Sequence, residues 1–563
     1  MRPFKVFALV AAVGFLGTWL VCVAKDKNTI PNTPEGVQKM IVRFSPTVLA
    51  ANTSHLSEGD RAALEHIIEG SRYLQDLFAE QVWSENLALR SKLEADTSEL
   101  GKKRLHYFKI NMGPWSRLDG DDAFLPNVPE KPVGANFYPA DLTKEKFSEW
   151  VATLSAEEQE KARGFFSVVR KSDSGFRLVS YSEEYSKYLQ PAARELKKAA
   201  ELTTNETLRK FLNSRAEAFL SDDYYESDLA WLALDAPIDV TIGPYETYED
   251  QLLGYKAAFE AVVAIRDDAS TAKLATFSRY LQELENNLPM PDEYKNPSIG
   301  KSTPIKAVDI VFSSGDARRG VMSIAFNLPN DEKVITEAGS KKVMMKNLNE
   351  SKFSKILLPL AEAALASEQK GDVDFEAFFT HVLMHELVHG IGPHEIEVDG
   401  RKTTARHELK NLYSAIEEAK ADVGGLWALQ YLVDKGVVDK NLEKNMYRTN
   451  LASAFRSVRF GVESAHGRAV ALQFNYYVSQ GAILFDAKTQ KFSVDESKIQ
   501  GVVKDLLNKL LLIEAKGDYA GAKQLLDAHT ALSAEMKAIL ERAEAEGIPV
   551  DLEPIYPLAG EVP

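Results

Sequence analysis

The stretch HVLMHELVHGIGPHE, residues 381–395, holds four of the chain's ten histidines and two glutamates inside an apolar helical pattern. Imidazole and carboxylate groups at this density are costly in a helix that must also pack, unless they serve a ligand. On a helix, side chains four apart lie on one face, so His385 and His389 can direct ring nitrogens at one ion. Glu386, beside the first histidine, can reach a water at that ion and act as general base. Two imidazoles and one carboxylate suit Zn²⁺ with an open fourth position.

The third ligand has three candidates. In one class of zinc enzymes the helix ends at a glycine three residues after the second histidine, and the ligand follows three residues later. Gly392 fits that spacing, but the ligand position holds Glu395, and His394 falls one short. The other arrangement takes a glutamate from a later helix. The segment IEEAKADV supplies Glu418, with Asp422 four residues on and on the same face. Glu418 would then bind the ion, while Asp422, and Glu417 beside it, would hold the far ring nitrogens of the ligating histidines. Leu412, Ile416, Leu426 and Trp427 flank this acidic run and indicate a packed helix rather than a solvated strip. His381 and His394 read as supporting or structural histidines rather than ligands.

The chain around the stretch has 563 residues, 45% hydrophobic and 26% charged, which is the composition of a folded globular protein. A formal charge of −15 and the lack of a basic stripe argue against nucleic acid as a partner. Cys22 is the only cysteine, so thiolate and disulfide chemistry are excluded from the body of the protein, and a metal there must be held by His and carboxylate. Arg2 and Lys5 precede an uncharged run over residues 6–24, which reads as an export signal or an N-terminal anchor. On that reading the chain is exported to the periplasm or the outside, and touches a membrane only if the segment stays uncleaved.

The periodicity predicts a mainly α chain with a small β component, an α+β fold. After the signal or anchor (1–24) we expect a mainly helical part (25–257), with a Gly/Pro/Asp-rich loop inside it near residues 111–142, and a helical segment (258–300). A small β part (301–345) follows, in which IKAVDIVF and GVMSIAFNL read as a strand pair around SSGDARRG. A helical metal-binding part (346–545), ending in a helix pair, and a C-terminal tail (546–563) complete the chain.

HELVHG followed by EEAKAD resembles the zinc-peptidase family of dipeptidyl peptidase III, whose signatures are an HExxxH-type helix and an EExxAE-type helix. The likeness extends to ESAHGRAVALQFNYYVSQGA, FNLPN, DVTIGPYETYED and the C-terminal helices, roughly residues 235–530. It implies two lobes with a wide cleft, the zinc site in the helical lobe, and a peptide that adds as a strand to an exposed sheet edge. It also implies that His385, His389 and Glu418 hold Zn²⁺, that Glu386 activates water, and that His466 stabilises charge on the attacked carbonyl oxygen. Asp239, Asn327 and Asn330 would bind the substrate's free amino terminus. The sequence departs from the family in three places. It has the plain HExxH form without the extra residue, Thr241 replaces a Tyr that assists the transition state, and Val470 replaces an Arg that binds substrate. The first leaves metal binding intact; the others bear on rate and on whether dipeptides are released. A subgroup with HExxHGIGPH also occurs joined to nucleotide-hydrolase modules, and no Gly-rich, Glu-rich hydrolase box precedes the peptidase region here.

The expectation is therefore a zinc-dependent peptidase acting on short peptides, one zinc per chain, as an exopeptidase that recognises the free N-terminus. Two rivals stand beside it: a metal-containing peptide-binding protein with little turnover, and a zinc hydrolase of non-peptide amides or esters. Glu386 speaks against the first, because it is not needed merely to hold zinc. The amine-fitting Asp239, Asn327 and Asn330 speak against the second.

Overall fold

The computed structural model describes residues 30–173, 175–299 and 304–562; the proposed signal or anchor, residues 1–24, lies outside them. After a short helix, Pro34–Ile41, come a short strand, β1 (Phe44–Val48), and a long helix, α1 (Glu58–Val82), capped by Ser57, whose side chain accepts from the Asp60 N–H. Helix α2 (Ser186–Leu202) packs against α1, and α3 (Glu206–Ser221) packs against α2. Their apolar faces, including Leu196, Leu208, Phe211 and Phe219, are fully buried.

These helices support a five-stranded sheet built from β2 (Ile238–Glu246), β3 (Ala258–Arg266), β4 (Ile305–Gly315), β5 (Ala325–Leu328) and β6 (Lys341–Met345). The spatial order is β2-β3-β4-β6-β5, with β6 parallel to β4 and every other neighbouring pair antiparallel. β2 is buried from Ile238 to Tyr245 although Ile238-Asp239-Val240-Thr241-Ile242 alternates apolar with polar, because the polar Asp239 and Thr241 are inside the protein as well.

Four expectations change here. IKAVDIVF and the AFNL end of GVMSIAFNL are strands, but not a pair: β6 lies between them, and its partner choice depends on contacts that a local pattern cannot express. The segment 258–300 begins with the nine-residue strand β3 before it turns helical, because its apolar run is buried on both faces. The terminal helical region is three helices rather than two, and the last residues form a strand rather than a tail.

The second lobe is helical: α4 (Phe375–Val388), α5 (Tyr413–Asp434), α6 (Asn441–Ser457), α7 (Ala465–Ser479), α8 (Ile499–Lys516), α9 (Tyr519–His529) and α10 (Ala534–Ala545). α5 is its axis and packs against α4, α6, α7 and α8. The two lobes face each other across a cleft, as the α+β reading with two lobes expects. After α10 the chain returns to the first lobe, where β7 (Asp551–Ile555) pairs in parallel with β1.

Asp551 and Lys352, each 1% exposed, form an ion pair at 2.8 Å that pins this return. A buried charge left without its partner is strongly destabilising. Asp551→Ala should therefore cost on the order of 3 kcal/mol and lower the thermal midpoint. Calorimetry beside a surface control such as Asp527→Ala checks this; equal midpoints for the two variants would refute it.

Candidate metal centre and active site

α4 starts at Asp374, whose carboxylate accepts from the Ala377 N–H at 2.9 Å, and ends one residue before His389. Phe378, Phe379, Leu383, Met384, Leu387 and Val388 are buried along it, so the helix is embedded in its lobe and its histidines sit inside protein. α5 crosses it closely because positions 424 and 425 are glycine. A Cβ on Gly424 would stand 2.7 Å from Val388 Cγ1, and one on Gly425 would stand 3.1 Å from the His385 nitrogen. With those side chains absent, the acidic turn of α5 reaches the histidines of α4.

His385 Nε2 and His389 Nε2 lie 3.2 Å apart. Glu418 Oε2 is 3.3 Å from the first and 3.8 Å from the second. Ligands on a tetrahedral ion with bonds of about 2.0–2.1 Å are spaced by about 3.3 Å, so these three donors fit a zinc-sized cation. Glu418 Oε2 is also buried without a well-directed hydrogen bond, as expected of an oxygen meant for an ion. Among the described residues this is the one cluster of His, Cys or carboxylate groups close enough to share a metal. Glu395, by contrast, is exposed on the strand Glu395–Val398, and His394 lies outside the cluster, so both drop out as third ligands. The chain after His389 turns through Gly392 at φ +89° into a hairpin that carries them away.

The far side of each ring has its own acid. His389 Nδ1 lies 2.8 Å from Glu417 Oε1, and His385 Nδ1 lies 3.4 Å from Asp422 Oδ1. Glu417 is held in turn by the buried Lys420 at 2.8 Å and by the Tyr413 hydroxyl at 3.2 Å. Lys420 also donates to the Ile391 carbonyl at 3.0 Å, fixing the turn after α4. Asp422 accepts from Gln473 of α7. His381 does not point at the centre; its Nε2 meets the Asp422 carbonyl at 2.9 Å. The four carboxylates Glu386, Glu417, Glu418 and Asp422 make the pocket strongly anionic. Although burial opposes it, Asp422 and Glu418 hold the His385 imidazolium up to about 10, and the histidines hold Glu418 well below the usual carboxylate range. A site with this appetite for positive charge suits a divalent cation.

His466, in the first turn of α7, places Nδ1 2.8 Å from Glu418 Oε2 and leaves its ring largely open to the cleft. On the opposite lobe Asn327 is exposed on the edge strand β5, and Asn330 donates to the Tyr245 carbonyl at 3.0 Å. Asp239 is not free to meet a substrate amine: it is buried and paired at 3.3 Å with Lys341, itself fully buried. The acid that does stand beside Asn330 is Glu246, whose carboxyl burial and nearby Asp316 push up to about 7. Thr241 is buried within the sheet, and Val470 packs against the core. The sequence assigns no role to Glu246, Lys420 and Gln473, although they lie inside the segments that carry the family likeness, and Lys342 lies outside those segments. The Gly424-Gly425 pair is the one local signal that marks the close helix crossing.

The sequence model of Peptidase family M49 matches residues 138–411. The structure of DPP III from Caldithrix abyssi superposes with a TM-score of 0.90 at 46% identity, covering 92% of this chain and 98% of that one. The chain belongs to peptidase family M49. It is a metallopeptidase of the dipeptidyl peptidase III type. Dipeptidyl-peptidase III from Corallococcus sp. strain EGB is similar over 94% of this chain and 98% of its own, with 48% identity and a TM-score of 0.83. Nudix hydrolase 3 of Arabidopsis thaliana is 42% identical over 93% of this chain and 74% of its own length.

That plant relative overturns the expectation of export. A protein matched over 93% of this M49 chain is named as a Nudix hydrolase, not as an exported enzyme. A basic start before an apolar run has the composition of an export signal, but composition alone does not make it act as one. Among the described residues no helix is long and apolar enough to cross a membrane.

Two substitutions probe the centre. Glu417→Gln should weaken zinc binding about 10–100-fold, since it removes the charge that orients His389. Gly425→Val should weaken it at least as much by forcing α5 off α4, with helical content unchanged. Competition with a chromogenic chelator measures both, and affinities within twofold of the parent protein would contradict the geometry.

Proposed function

We propose that this M49 protein is a zinc-dependent exopeptidase that hydrolyses short peptides from the free amino terminus. The observation that carries the reading is the convergence of His385, His389 and Glu418 beside a carboxylate, Glu386, that the metal does not need. When bound there, zinc would supply a Lewis acid for the peptide carbonyl and lower the pKa of the attacking water.

The chain's own groups do the rest. Glu386 takes the proton of the attacking water on its carboxylate and returns it to the leaving amine. His466, poised over Glu418 and open to the cleft, donates toward the oxygen on which negative charge develops. Asp422 and Glu417 keep the two ligating rings in the tautomer that presents Nε2 to the ion. The peptide adds along β5, where Asn327 and Asn330 meet its amino end. Glu246 supplies the carboxylate there, and Asp239, already balanced by Lys341, acts only through that pair. The ammonium of a free N-terminus is the natural counter-charge for Glu246. A blocked N-terminus offers Glu246 no ammonium.

The test is hydrolysis of matched free and N-acetylated peptides together with metal analysis. Cleavage confined to free peptides, and reduced at least about 10³-fold in Glu386→Ala while one zinc is retained, is the expected result. Equal cleavage of both sets would refute the amine-recognising exopeptidase. Zinc without any cleavage would favour the peptide-binding rival.

A further inference from the structure

β6 carries two consecutive lysines, and the strand's alternation sends them to opposite faces. Lys341 goes into the sheet lobe, where its ammonium lies 3.9 Å from the centre of the Trp231 ring and 3.3 Å from Asp239. Lys342 faces the other way, on the same side as Asn327, its register partner on the edge strand β5. Its side chain is almost wholly buried, with the ammonium set against Glu386 on the opposite lobe.

Two atoms of Glu386 meet that ammonium. Lys342 donates to the main-chain carbonyl of Glu386, and its Nζ lies 3.4 Å from the Glu386 carboxylate oxygen Oε2. The carbonyl needs such a donor. α4 ends two residues later, and the Gly390 N–H, which would have continued the helix to Glu386, turns instead to the Leu387 carbonyl at 2.9 Å. A lysine at the last carbonyls of a helix is a favourable cap, since it meets both the orphan oxygen and the negative end of the dipole. Here the cap comes from another lobe, 44 residues away in the chain. One side chain therefore spans the cleft and grips both the backbone and the carboxylate of the residue proposed as general base.

The geometry points to Lys342 as a positioning residue that ties the sheet edge receiving the peptide to the orientation of Glu386. This rests on the peptidase reading above and extends it: the base is set not only by its own helix but by the lobe that holds the substrate. Lys342 does not hold zinc, and its place next to Asn327 gives the peptide strand and the base a common mount. A general base works only when its carboxylate stands within hydrogen-bond reach of the proton it takes, and a misplacement of about 1 Å can cost on the order of 10²-fold in rate.

The experiment compares the zinc-loaded full chain with Lys342→Met and Lys342→Arg, on a free-amine peptide and by hydrogen exchange of the segment 384–391. Lys342→Met should lower kcat about 10–100-fold, with KM changed less than about threefold and zinc content equal to the parent. Lys342→Arg, which keeps a donor and a charge, should recover a substantial part of that loss. Exchange across the end of α4 should quicken in Lys342→Met and return toward the parent in Lys342→Arg. A loss expressed only in KM, a kcat within twofold of the parent, or no recovery with arginine would overturn the positioning role. If the parent cleaves no peptide, the peptidase reading fails by itself, and exchange alone decides the tether: unchanged protection in Lys342→Met would overturn it.

Discussion

Two helices bring charged side chains from opposite sides onto one point only if their backbones come close, and α4 and α5 come close because α5 has no side chains at positions 424 and 425. A Cβ at 424 would stand 2.7 Å from Val388 Cγ1, and one at 425 would crowd the backbone nitrogen of His385 at 3.1 Å. The zinc-sized spacing of His385, His389 and Glu418 depends on that contact. So does the reach of Asp422 to the other ring nitrogen of His385, one helical turn further along α5. Most of the site's chemistry is thus a consequence of two missing methyl groups or their larger equivalents.

Close approach also concentrates charge, and the surrounding lobe is arranged to bear it. Glu417 and Lys420 are both buried and would be costly alone; paired, they link the ring of His389 to the turn that closes α4. Asp422 is satisfied by Gln473 from a third helix. The carboxylates outnumber the cations that face them, so the pocket remains short of positive charge, and a divalent ion is the group of the right size and sign to supply it. Apolar burial along α4 keeps water from screening these interactions.

Several corrections share one physical origin. The strands β4 and β5 are recognisable by composition, but β6 separates them, pairing with β4 on one side and with β5 on the other, a choice of partner that composition does not encode. The end of the chain reads as a tail since its run is too short for a pattern, and it becomes a strand because Asp551 meets Lys352 and β1 offers an unpaired edge. Asp239 stands at the position that the family resemblance marks for an amine, yet in this chain Lys341 already occupies its charge. Glu246, seven residues on, faces Asn330 instead.

The sequence by itself determines what lies within one helix turn or one strand: the His385/His389 pair with Glu386, the acids Glu417, Glu418 and Asp422 on α5, and the predominance of helix. Fixed backbone periodicity places those side chains relative to each other wherever the element sits. Only the tertiary structure decides which helix supplies the third ligand position, that Glu395 and His394 turn away, which acid faces Asn330, and that Lys342 reaches Glu386 across the cleft. Those relations join residues tens of positions apart, and they follow from packing and charge balance, which no local spacing encodes.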